Sequence, residues 1–271
     1  MQKIILLTGA TDGIGLETAK MLVAQGHHVI LHGRNGEKLQ AVRDALSVLP
    51  GAGPIETIQA DLSSMVAVDQ MIAELAQRFG KLDVLINNAG VYAVPETISP
   101  DGLDVRFAVN TYAPYLLTSA LLPLFDATGR IVNLSSAAQA PVDVAALQGE
   151  RALSDGEAYA QSKLALTMWS RALGLAQQGK GPMIVSVNPK SFLGSKMVKE
   201  AYGVAGGDIT QGADILVRAA LSDEFAQAHG QYFDNDIEAF APPHRDALDD
   251  HKVQQVIDTL DSVLAKTAKL A

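Results

Sequence analysis

The sequence contains no cysteine, and this absence excludes several kinds of chemistry. Without thiols there is no disulfide framework, no thiolate nucleophile and no cysteine-ligated zinc site. The six histidines do not form a pair with the helical spacing of metal ligands. His28 and His32 are four residues apart, but the residues around them predict a strand, in which that helical geometry does not apply. The sequence therefore predicts no metal site.

Long apolar runs and an excess of basic residues are also missing. No run is long enough to span a bilayer, and the apolar stretch after Met1-Gln2-Lys3 is too short for the core of a signal peptide. The formal net charge of −9 disfavours binding to nucleic acid or to an anionic membrane surface. With 48% hydrophobic and 19% charged residues, the composition is that of a globular protein. We therefore expect a soluble, cytoplasmic protein that binds neither nucleic acid nor membrane.

Short apolar runs alternate along the chain with longer segments of helical periodicity. The predicted strands are 3–8, 28–32, 55–59, 83–87, 130–135 and 182–187, with a weaker seventh at 230–234. The predicted helices are 14–25, 36–48, 63–79, 102–126, 157–178 and 208–221. Continuous apolar strands are typical of a parallel sheet covered on both faces. The pattern predicts an α/β fold, a doubly wound parallel sheet of about seven strands with helices on both faces.

The chain shows no internal repeat and no interdomain linker, which predicts one domain over residues 1–271. Loops are expected at 50–54 and 191–207. From residue 244 onward, apolar residues recur with helical spacing and predict a C-terminal helical extension, 244–271, that packs on the body or on a second subunit. Its stripe consists of Val253, Val256, Ile257, Leu260, Val263 and Leu264.

A glycine-rich turn follows the first predicted strand and opens a helix. It reads Thr8-Gly9-Ala10-Thr11-Asp12-Gly13-Ile14-Gly15, with Gly-x-x-x-Gly-x-Gly spacing. Glycines there allow a sharp turn and let a pyrophosphate approach the bare amides at the helix N-terminus. The position in the chain favours a Rossmann-type dinucleotide site, formed by Gly9, Thr11, Asp12, Gly13, Ile14 and Gly15, over a tight turn without a ligand.

The end of the second strand distinguishes between the two nicotinamide cofactors. An acidic residue there would bind the adenosine ribose hydroxyls, whereas an arginine suits a 2′-phosphate. The sequence reads His32-Gly33-Arg34-Asn35, without an acid. A guanidinium matches phosphate geometry, so Arg34 and Asn35 predict NADP(H), although Arg34 could instead be a solvated surface residue.

Further motifs follow the later strands in chain order. Asp61-Leu62 follows the third strand, where Asp61 or Ser63 could also cap the next helix. Asn87-Asn88-Ala89-Gly90 follows the fourth strand, and Asn110 lies within a predicted helix, where asparagine lowers helix propensity. Ser135-Ser136 ends the fifth strand, and Tyr159-Ala160-Gln161-Ser162-Lys163 lies in a helix. The four-residue spacing places Tyr159 and Lys163 on one helical face.

Together these motifs resemble the classical short-chain dehydrogenase/reductase family over residues 3 to about 235. The resemblance is closest to the NADP(H)-preferring branches that are similar to retinol dehydrogenases and carbonyl reductases. It implies that Asp61-Leu62 contacts adenine, that Asn88, Ala89 and Gly90 line the cofactor, and that Pro189 contacts it after the sixth strand. It also implies dimers or tetramers through the helices at 102–126 and 157–178.

The resemblance further implies a set of catalytic roles. Ser136 would hydrogen-bond the substrate oxygen, with Ser135 as the alternative serine. Tyr159 would donate or remove its proton. Lys163 would lower the tyrosine pKa, because an ammonium favours a phenolate, and would hold the nicotinamide ribose. Asn110 would hold a water in a proton relay.

The sequence departs from the family pattern at three places. Residues 141–156 form an apparent insertion between Ser136 and Tyr159. Pro189-Lys190 stands where the family usually has Pro-Gly, and Gly194, followed by Ser195, stands where a hydroxyl residue is common. Asp12 occupies a position at which many NADP-preferring members carry a basic residue.

We therefore expect an NADP(H)-dependent reductase or dehydrogenase of a largely apolar carbonyl or alcohol compound. The loops at 91–98, 137–156 and 190–206 are expected to border its substrate site. Two other classes remain open: a cofactor-binding sensor without turnover, and an epimerase or dehydratase that uses the same tyrosine and lysine.

Overall fold

The computed structural model describes residues 1–194, 198–199 and 203–267. These residues form one eight-stranded sheet in the order β3-β2-β1-β4-β5-β6-β7-β8. The strands are β1 Ile4–Leu7, β2 His28–Gly33, β3 Ile55–Gln59, β4 Val84–Asn87, β5 Arg130–Leu134, β6 Met183–Asn188, β7 Tyr232–Asp234 and β8 Ala239–Ala241. Strands β1 to β7 pair in parallel, and β8 adds an antiparallel edge to β7. The seven predicted strands are confirmed. The short eighth, which pairs through a hairpin with β7, was not predicted.

Nine helices are described here: α1 Gly13–Ala24, α2 Gly36–Ser47, α3 Met65–Arg78, α4 Val105–Phe107, α5 Ala113–Leu121, α6 Val144–Leu147, α7 Asp155–Gln177, α8 Thr210–Leu221 and α9 Asp250–Thr267. Helix α7 begins with a capping box, in which the side chains of Ser154 and Glu157 each bond the other residue's backbone N–H. This cap fixes where the long helix starts, two residues before the predicted boundary.

The sheet separates two apolar cores, as a doubly wound fold requires. In β1, Leu6 belongs to one core while Ile5 and Leu7 belong to the other, because successive side chains of a strand point to opposite faces. Residues of α3, α5, α7 and α9 complete the first core, and residues of α1, α2 and α8 complete the second. The predicted α/β architecture with helices on both faces is confirmed.

Two predicted elements differ from the structure. The segment 102–126 is not one continuous helix: a π-helix, Ala108–Tyr112, separates α4 from α5, and a 3-10 turn at Leu122–Leu124 ends the segment. Apolar periodicity alone does not report such a change of winding. The apparent insertion at 141–156 contains the short helix α6, which Asp143 caps by accepting from two backbone N–H groups. The predicted loop at 191–207, including Ser195, lies partly outside the described residues.

The C-terminal helix α9 packs on the body of the protein. Val256, Leu260 and Val263 are buried in the same core as Trp169 of α7. The Tyr115 hydroxyl of α5 donates to Asp261 at 2.7 Å, and burial together with this carboxylate raises the pKa of that phenol. Helix α9 therefore covers part of the α5 and α7 surface for which the family resemblance implies subunit contacts. Of the two expected partners for its apolar stripe, the body or a second subunit, the structure shows the body.

Two features are absent from the described residues. None of their helices has both the length and the apolar character needed to cross a membrane. In the same residues, no three histidine, aspartate or glutamate side chains are arranged to hold a metal ion.

Candidate active site

Most of the predicted site residues lie at one edge of the sheet. Because β1 to β7 are parallel, their carboxyl ends share that edge. The strand order reverses between β1 and β4, and ligands of open α/β sheets bind in the crevice at such a switch point. The glycine turn follows β1 on one side of this point, and Asn88 follows β4 on the other.

The glycine turn requires its glycines for two different reasons. Gly9 and Gly13 have φ angles of 65° and 55°, in the left-handed region. Gly15 has no such angle, but a Cβ at this position would stand 2.1 Å from the carbonyl oxygen of Gly9. Asp12 Oδ1 accepts from the Gly13 N–H at 2.8 Å and caps α1. The start of α1 is thus fixed with its first amides close to the crevice.

Asn88 and Thr8 hold the turn against the end of β4. Asn88 Nδ2 donates to the carbonyl oxygens of Thr8 and Gly9 at 2.9 and 3.1 Å. Thr8 Oγ1 accepts from the backbone N–H groups of Asn88 and Ala89, both at 3.0 Å. The preceding Asn87 instead donates to Asn133 of β5 at 2.7 Å. Asn88 therefore holds the glycine turn, whereas Asn87 bonds to the neighbouring strand.

His32, for which the sequence predicted no role at the turn, fixes the turn from its other side. His32 is buried, and its Nδ1 accepts from the Gly9 N–H at 3.2 Å. Its Nε2 lies 3.1 Å from the Ala60 carbonyl oxygen, so the neutral tautomer protonated at Nε2 satisfies both contacts. Burial lowers the pKa of His32 to about 4. The imidazole links the glycine turn, β2 and the loop that follows β3.

The end of β2 brings the predicted cofactor-selecting residues next to the turn. A Cβ on Gly33 would meet Thr11 Cγ2 at 2.8 Å, so the two segments are in close contact. Arg34 is exposed, and Asn35 caps α2 by accepting from the Lys38 N–H. Lys38 Nζ lies 2.9 Å from Asp12 Oδ2. Asp12, the acid that departs from the family pattern, is thus paired with the ammonium of Lys38 in α2.

Asp61 lies at the surface and Leu62 lies in the core. Asp61 is exposed and its Oδ1 accepts from the backbone N–H and hydroxyl of Ser63 at 3.0 and 2.8 Å. Leu62 is buried in the core that contains α3. The helix cap is Ser64, not Asp61 or Ser63. Both residues follow β3 directly, at the edge that carries the crevice.

Lys163 lies in the buried part of the site. It is 3% exposed, and its Nζ donates to the Leu134 carbonyl oxygen, at the end of β5, at 2.7 Å. Burial lowers the pKa of this amine to about 8, so the ammonium remains the main form at pH 7 and is lost as the pH rises through that value. A Cβ added to Gly90 would lie 3.5 Å from Nζ. Glycine at 90 therefore keeps open the approach to the ammonium.

Tyr159 lies beside Lys163 on the same face of α7, as the spacing predicts. Lys163 Nζ is 5.7 Å from the centroid of the Tyr159 ring. The Tyr92 ring, from the loop after β4, lies 5.0 Å from the Tyr159 ring, centroid to centroid. The phenol is half-buried between these two neighbours. Tyr92 was predicted only as part of a loop that borders the substrate.

The two serines after β5 have different surroundings. Ser135 is buried, and its hydroxyl pairs with Thr167 Oγ1 at 2.7 Å. Ser136 is half-buried, and its Oγ accepts from the Ala138 N–H at 3.1 Å. A hydroxyl that accepts still has its own proton to donate. Between the two, the Ser136 hydroxyl is the more accessible.

Asn110 lies in the π-helix, a rare winding that is frequent at functional sites. Its Oδ1 accepts from the Val91 N–H at 2.9 Å, and its Nδ2 donates to the Val91 carbonyl oxygen and to Ser162 Oγ, both at 3.0 Å. The side chain therefore joins the loop after β4 to helix α7. These contacts explain why a fully buried asparagine stands in a segment with helical periodicity.

The loop after β6 keeps a glycine-like backbone without glycine. Lys190, where the family has glycine, has a φ of 117°. Pro189 is buried, and its carbonyl oxygen accepts from Asn235 Nδ2 at 2.9 Å. Asp236 accepts from the Ser191 N–H at 2.9 Å and from its hydroxyl at 2.6 Å. The turn between β7 and β8 thus holds this loop in a conformation that a lysine rarely adopts.

Comparison with known protein families gives one match over most of the chain. The model of the short chain dehydrogenase family matches residues 3–203. The chain is 32% identical over 256 residues to Homo sapiens polyprenol dehydrogenase, covering 87% of this chain and 78% of that protein. It is 33% identical over 256 residues to Mus musculus retinol dehydrogenase 12, covering 85% and 77%.

Solved structures show the same likeness. A Mycobacterium paratuberculosis protein of uncharacterized function superposes with a TM-score of 0.80 at 26% identity, over 97% of this chain and 94% of that one. A short chain dehydrogenase from Shigella flexneri, solved in complex with NADP, gives a TM-score of 0.67 at 27% identity, over 86% and 96%.

The buried His32 gives the first prediction. In the unfolded chain the imidazole takes up a proton at its ordinary pKa of 6.5, whereas burial lowers the pKa in the native state to about 4. The free energy of unfolding should therefore fall as the pH falls from 6.5 toward 4, by about 1.4 kcal/mol per pH unit from this group. Urea denaturation of the protein and of His32→Asn across this range measures the difference, in which the other titrating groups cancel. Parallel curves for the two proteins would contradict it.

Lys190 gives the second prediction. Lys190→Gly should raise the free energy of unfolding by about 1 kcal/mol, because relief of the left-handed backbone outweighs the chain entropy that glycine loses on folding. Lys190→Ala is the matched control, since it removes the ammonium but keeps the Cβ and the strain. Urea denaturation should show stabilisation in the glycine variant alone. Equal stability of the two variants would show that the backbone of residue 190 stores no strain.

Proposed function

Because the chain belongs to the short chain dehydrogenase family, we propose that it is an NADP(H)-dependent oxidoreductase acting on a carbonyl or alcohol group. One observation carries the proposal. The Lys163 ammonium, the Tyr159 ring and the Asn110 amide come together next to Gly90, at the switch point of the sheet. A buried ammonium in a crevice of this kind marks a functional site better than it serves stability.

The residues present fit a nicotinamide dinucleotide. An ammonium has three N–H donors, and within the described chain Lys163 has one hydrogen-bond acceptor, the Leu134 carbonyl oxygen. Two donors are left for hydroxyl groups of a ribose. The turn Gly9 to Gly15 offers helix amides to a pyrophosphate, and Gly90 leaves room beside the lysine. When bound, the nicotinamide supplies or accepts the hydride.

The chain's own residues would then orient the substrate and move one proton. Ser136 would donate a hydrogen bond to the substrate oxygen, because the Ser135 hydroxyl is buried against Thr167. Tyr159 would give its phenolic proton to that oxygen during reduction and take it back during oxidation. The Lys163 ammonium would favour the phenolate during this exchange. Asn110, bonded to Val91 and Ser162, would keep the two sides of the crevice in register and support the proton relay.

The charges at the end of β2 support NADP(H) over NAD(H). Arg34 is exposed beside the glycine turn and can form bidentate contacts with a 2′-phosphate. The Asp12 carboxylate would repel that phosphate, but Lys38 neutralises it at 2.9 Å. The Shigella flexneri relative in complex with NADP lends further support.

We extend the proposal to isoprenoid alcohols and aldehydes as the substrate class. Two relatives are named for polyprenol and retinol, which are long apolar isoprenoids. Tyr92 adds an apolar ring next to Tyr159, which suits a chain of conjugated or branched carbons. All-trans-retinal and farnesal are therefore the first compounds to assay.

Tyr159→Phe tests the chemistry. The variant keeps the ring that contacts Tyr92 but lacks the proton, so turnover of NADPH with these aldehydes should fall by about a thousandfold or more, within the range that general acid catalysis supplies. The Kd for NADPH, measured by fluorescence titration, should stay within about twofold, since the phenol serves chemistry more than binding. Tyr92→Phe, which keeps its ring, is the control. Unchanged turnover in Tyr159→Phe would remove the phenol from the mechanism.

Arg34→Ala tests the cofactor preference. The wild-type protein should bind NADPH more tightly than NADH, and the variant should lose about 10- to 100-fold of that preference, the worth of a hydrogen bond between charged groups. Arg43→Ala, on the exposed side of α2, is the matched control and should retain it. A wild-type protein that binds both cofactors equally would contradict the NADP(H) assignment.

A further inference from the structure

An ion pair with a buried guanidinium joins α7 to the segment that leads into the π-helix. Arg106 of α4 is 1% exposed. Its Nη1 donates to Asp155 Oδ1 and its Nη2 donates to Asp104 Oδ2, both at 2.7 Å. Asp104 is in the segment of Arg106 itself, whereas Asp155 is the first residue of α7. The guanidinium therefore ties the start of α7 to the segment that leads into the π-helix.

The pair lies one helical turn before the proposed catalytic residues on both helices. Asp155 precedes Tyr159 by four residues, and Tyr159 precedes Lys163 by four, so the three share one face of α7. On the other segment, Arg106 precedes Asn110 by four residues. The next contact along the two helices is between Asn110 and Ser162, at 3.0 Å, followed by the bond of Thr111 Oγ1 to the Ser162 carbonyl oxygen at 2.8 Å. The ion pair and these two hydrogen bonds therefore follow one another toward the C-terminal end of both segments.

This ion pair is a poor source of stability, because desolvation of the buried guanidinium offsets its attraction to the half-exposed Asp155 carboxylate. It does hold its partners at a defined distance, and its geometry is fixed by two short charged hydrogen bonds. The third group of the guanidinium, Nε, lacks a hydrogen-bond partner among the described residues, so the two carboxylates are its polar partners there.

We propose that Arg106 and Asp155 are positioning residues that set the place of Tyr159 relative to Asn110 by fixing the first turn of α7 against α4. The expected effect on kcat rests on the proposed oxidoreductase function. The expected effect on the position of Tyr159 rests on the geometry alone. Asp104 is the second carboxylate that pairs with the guanidinium.

Asp155→Ala is the primary test, because its side chain is half exposed and its loss leaves Arg106 paired with Asp104. We expect kcat for the aldehyde to fall about five- to tenfold with the KM for NADPH within twofold, since displaced catalytic groups cost rate more than binding. Glu157→Ala is the matched control. It removes the same charge from the same turn of α7 and from the cap of that helix, but Glu157 has no contact with α4 among its described bonds.

A second readout needs no substrate. Loss of either carboxylate lowers the titration midpoint of a nearby phenol through charge alone. The ultraviolet titration of the Tyr159 phenol, taken as the difference from Tyr159→Phe, should nevertheless have a higher midpoint in Asp155→Ala than in Glu157→Ala, because only the first substitution displaces the phenol from the Lys163 ammonium. A wild-type protein without turnover would refute the proposed function, and the titration would still decide this inference. Equal effects of the two substitutions on this midpoint would overturn it.

Arg106→Ala provides a second, independent test of the ion pair. The arginine lines a surface cavity of about 330 Å³ together with Asp104 and Asp155, so its removal opens a path to both carboxylates. Guanidinium ion at millimolar concentration should restore kcat at least threefold in this variant and leave Asp155→Ala unchanged, because Arg106 still fills that place in the latter. Failure of a folded Arg106→Ala variant to lose activity would overturn the proposal, and failure to fold leaves the Asp155→Ala result to decide it.

Discussion

The burial of the Lys163 ammonium against the end of β5 is the contact on which the site depends. A lone ammonium in the interior is costly unless it is bonded, and the Leu134 carbonyl oxygen provides one bond. The same contact fixes α7 across the carboxyl edge of the sheet, and Tyr159, one turn earlier on that helix, takes its place from it. Gly90 and the π-helix then leave the space in front of the lysine open. Lys163 thus positions the helix and supplies the charge of the site.

The opposite side of the crevice is held by buried polar groups that satisfy one another. Thr8 and Asn88 fix the glycine turn to β4, while His32 fixes it to the loop after β3. Each of these groups is bonded to backbone atoms, and Ala10 and Ile14 of the turn also pack in the core on that side of the sheet. This arrangement suits a loop whose amides must remain available to a ligand.

Much of the fold and part of the site could be predicted from the sequence. Only a few residue types meet the backbone requirements of a buried strand or of the turn from Thr8 to Gly15. The sequence alone therefore predicts both. The π-helix at Asn110 was not predicted, because one extra residue per turn hardly changes the apolar period. The pairing of Asp12 with Lys38, 26 residues away, also depends on how two helices meet. Lys190 stands where the family usually has glycine, and its φ of 117° lies in the region that favours glycine, so the sequence alone predicts the wrong backbone there.

The central claim is that hydride passes between a nicotinamide and a carbonyl carbon held against Tyr159. Transfer of deuterium from NADPH labelled at one or the other face of nicotinamide C4 to retinal or farnesal, read by mass spectrometry of the alcohol, tests it most directly. A site built on one fixed wall of the crevice predicts label in the alcohol from one face only. Label from neither face, with NADPH bound and the aldehyde present, would contradict the account.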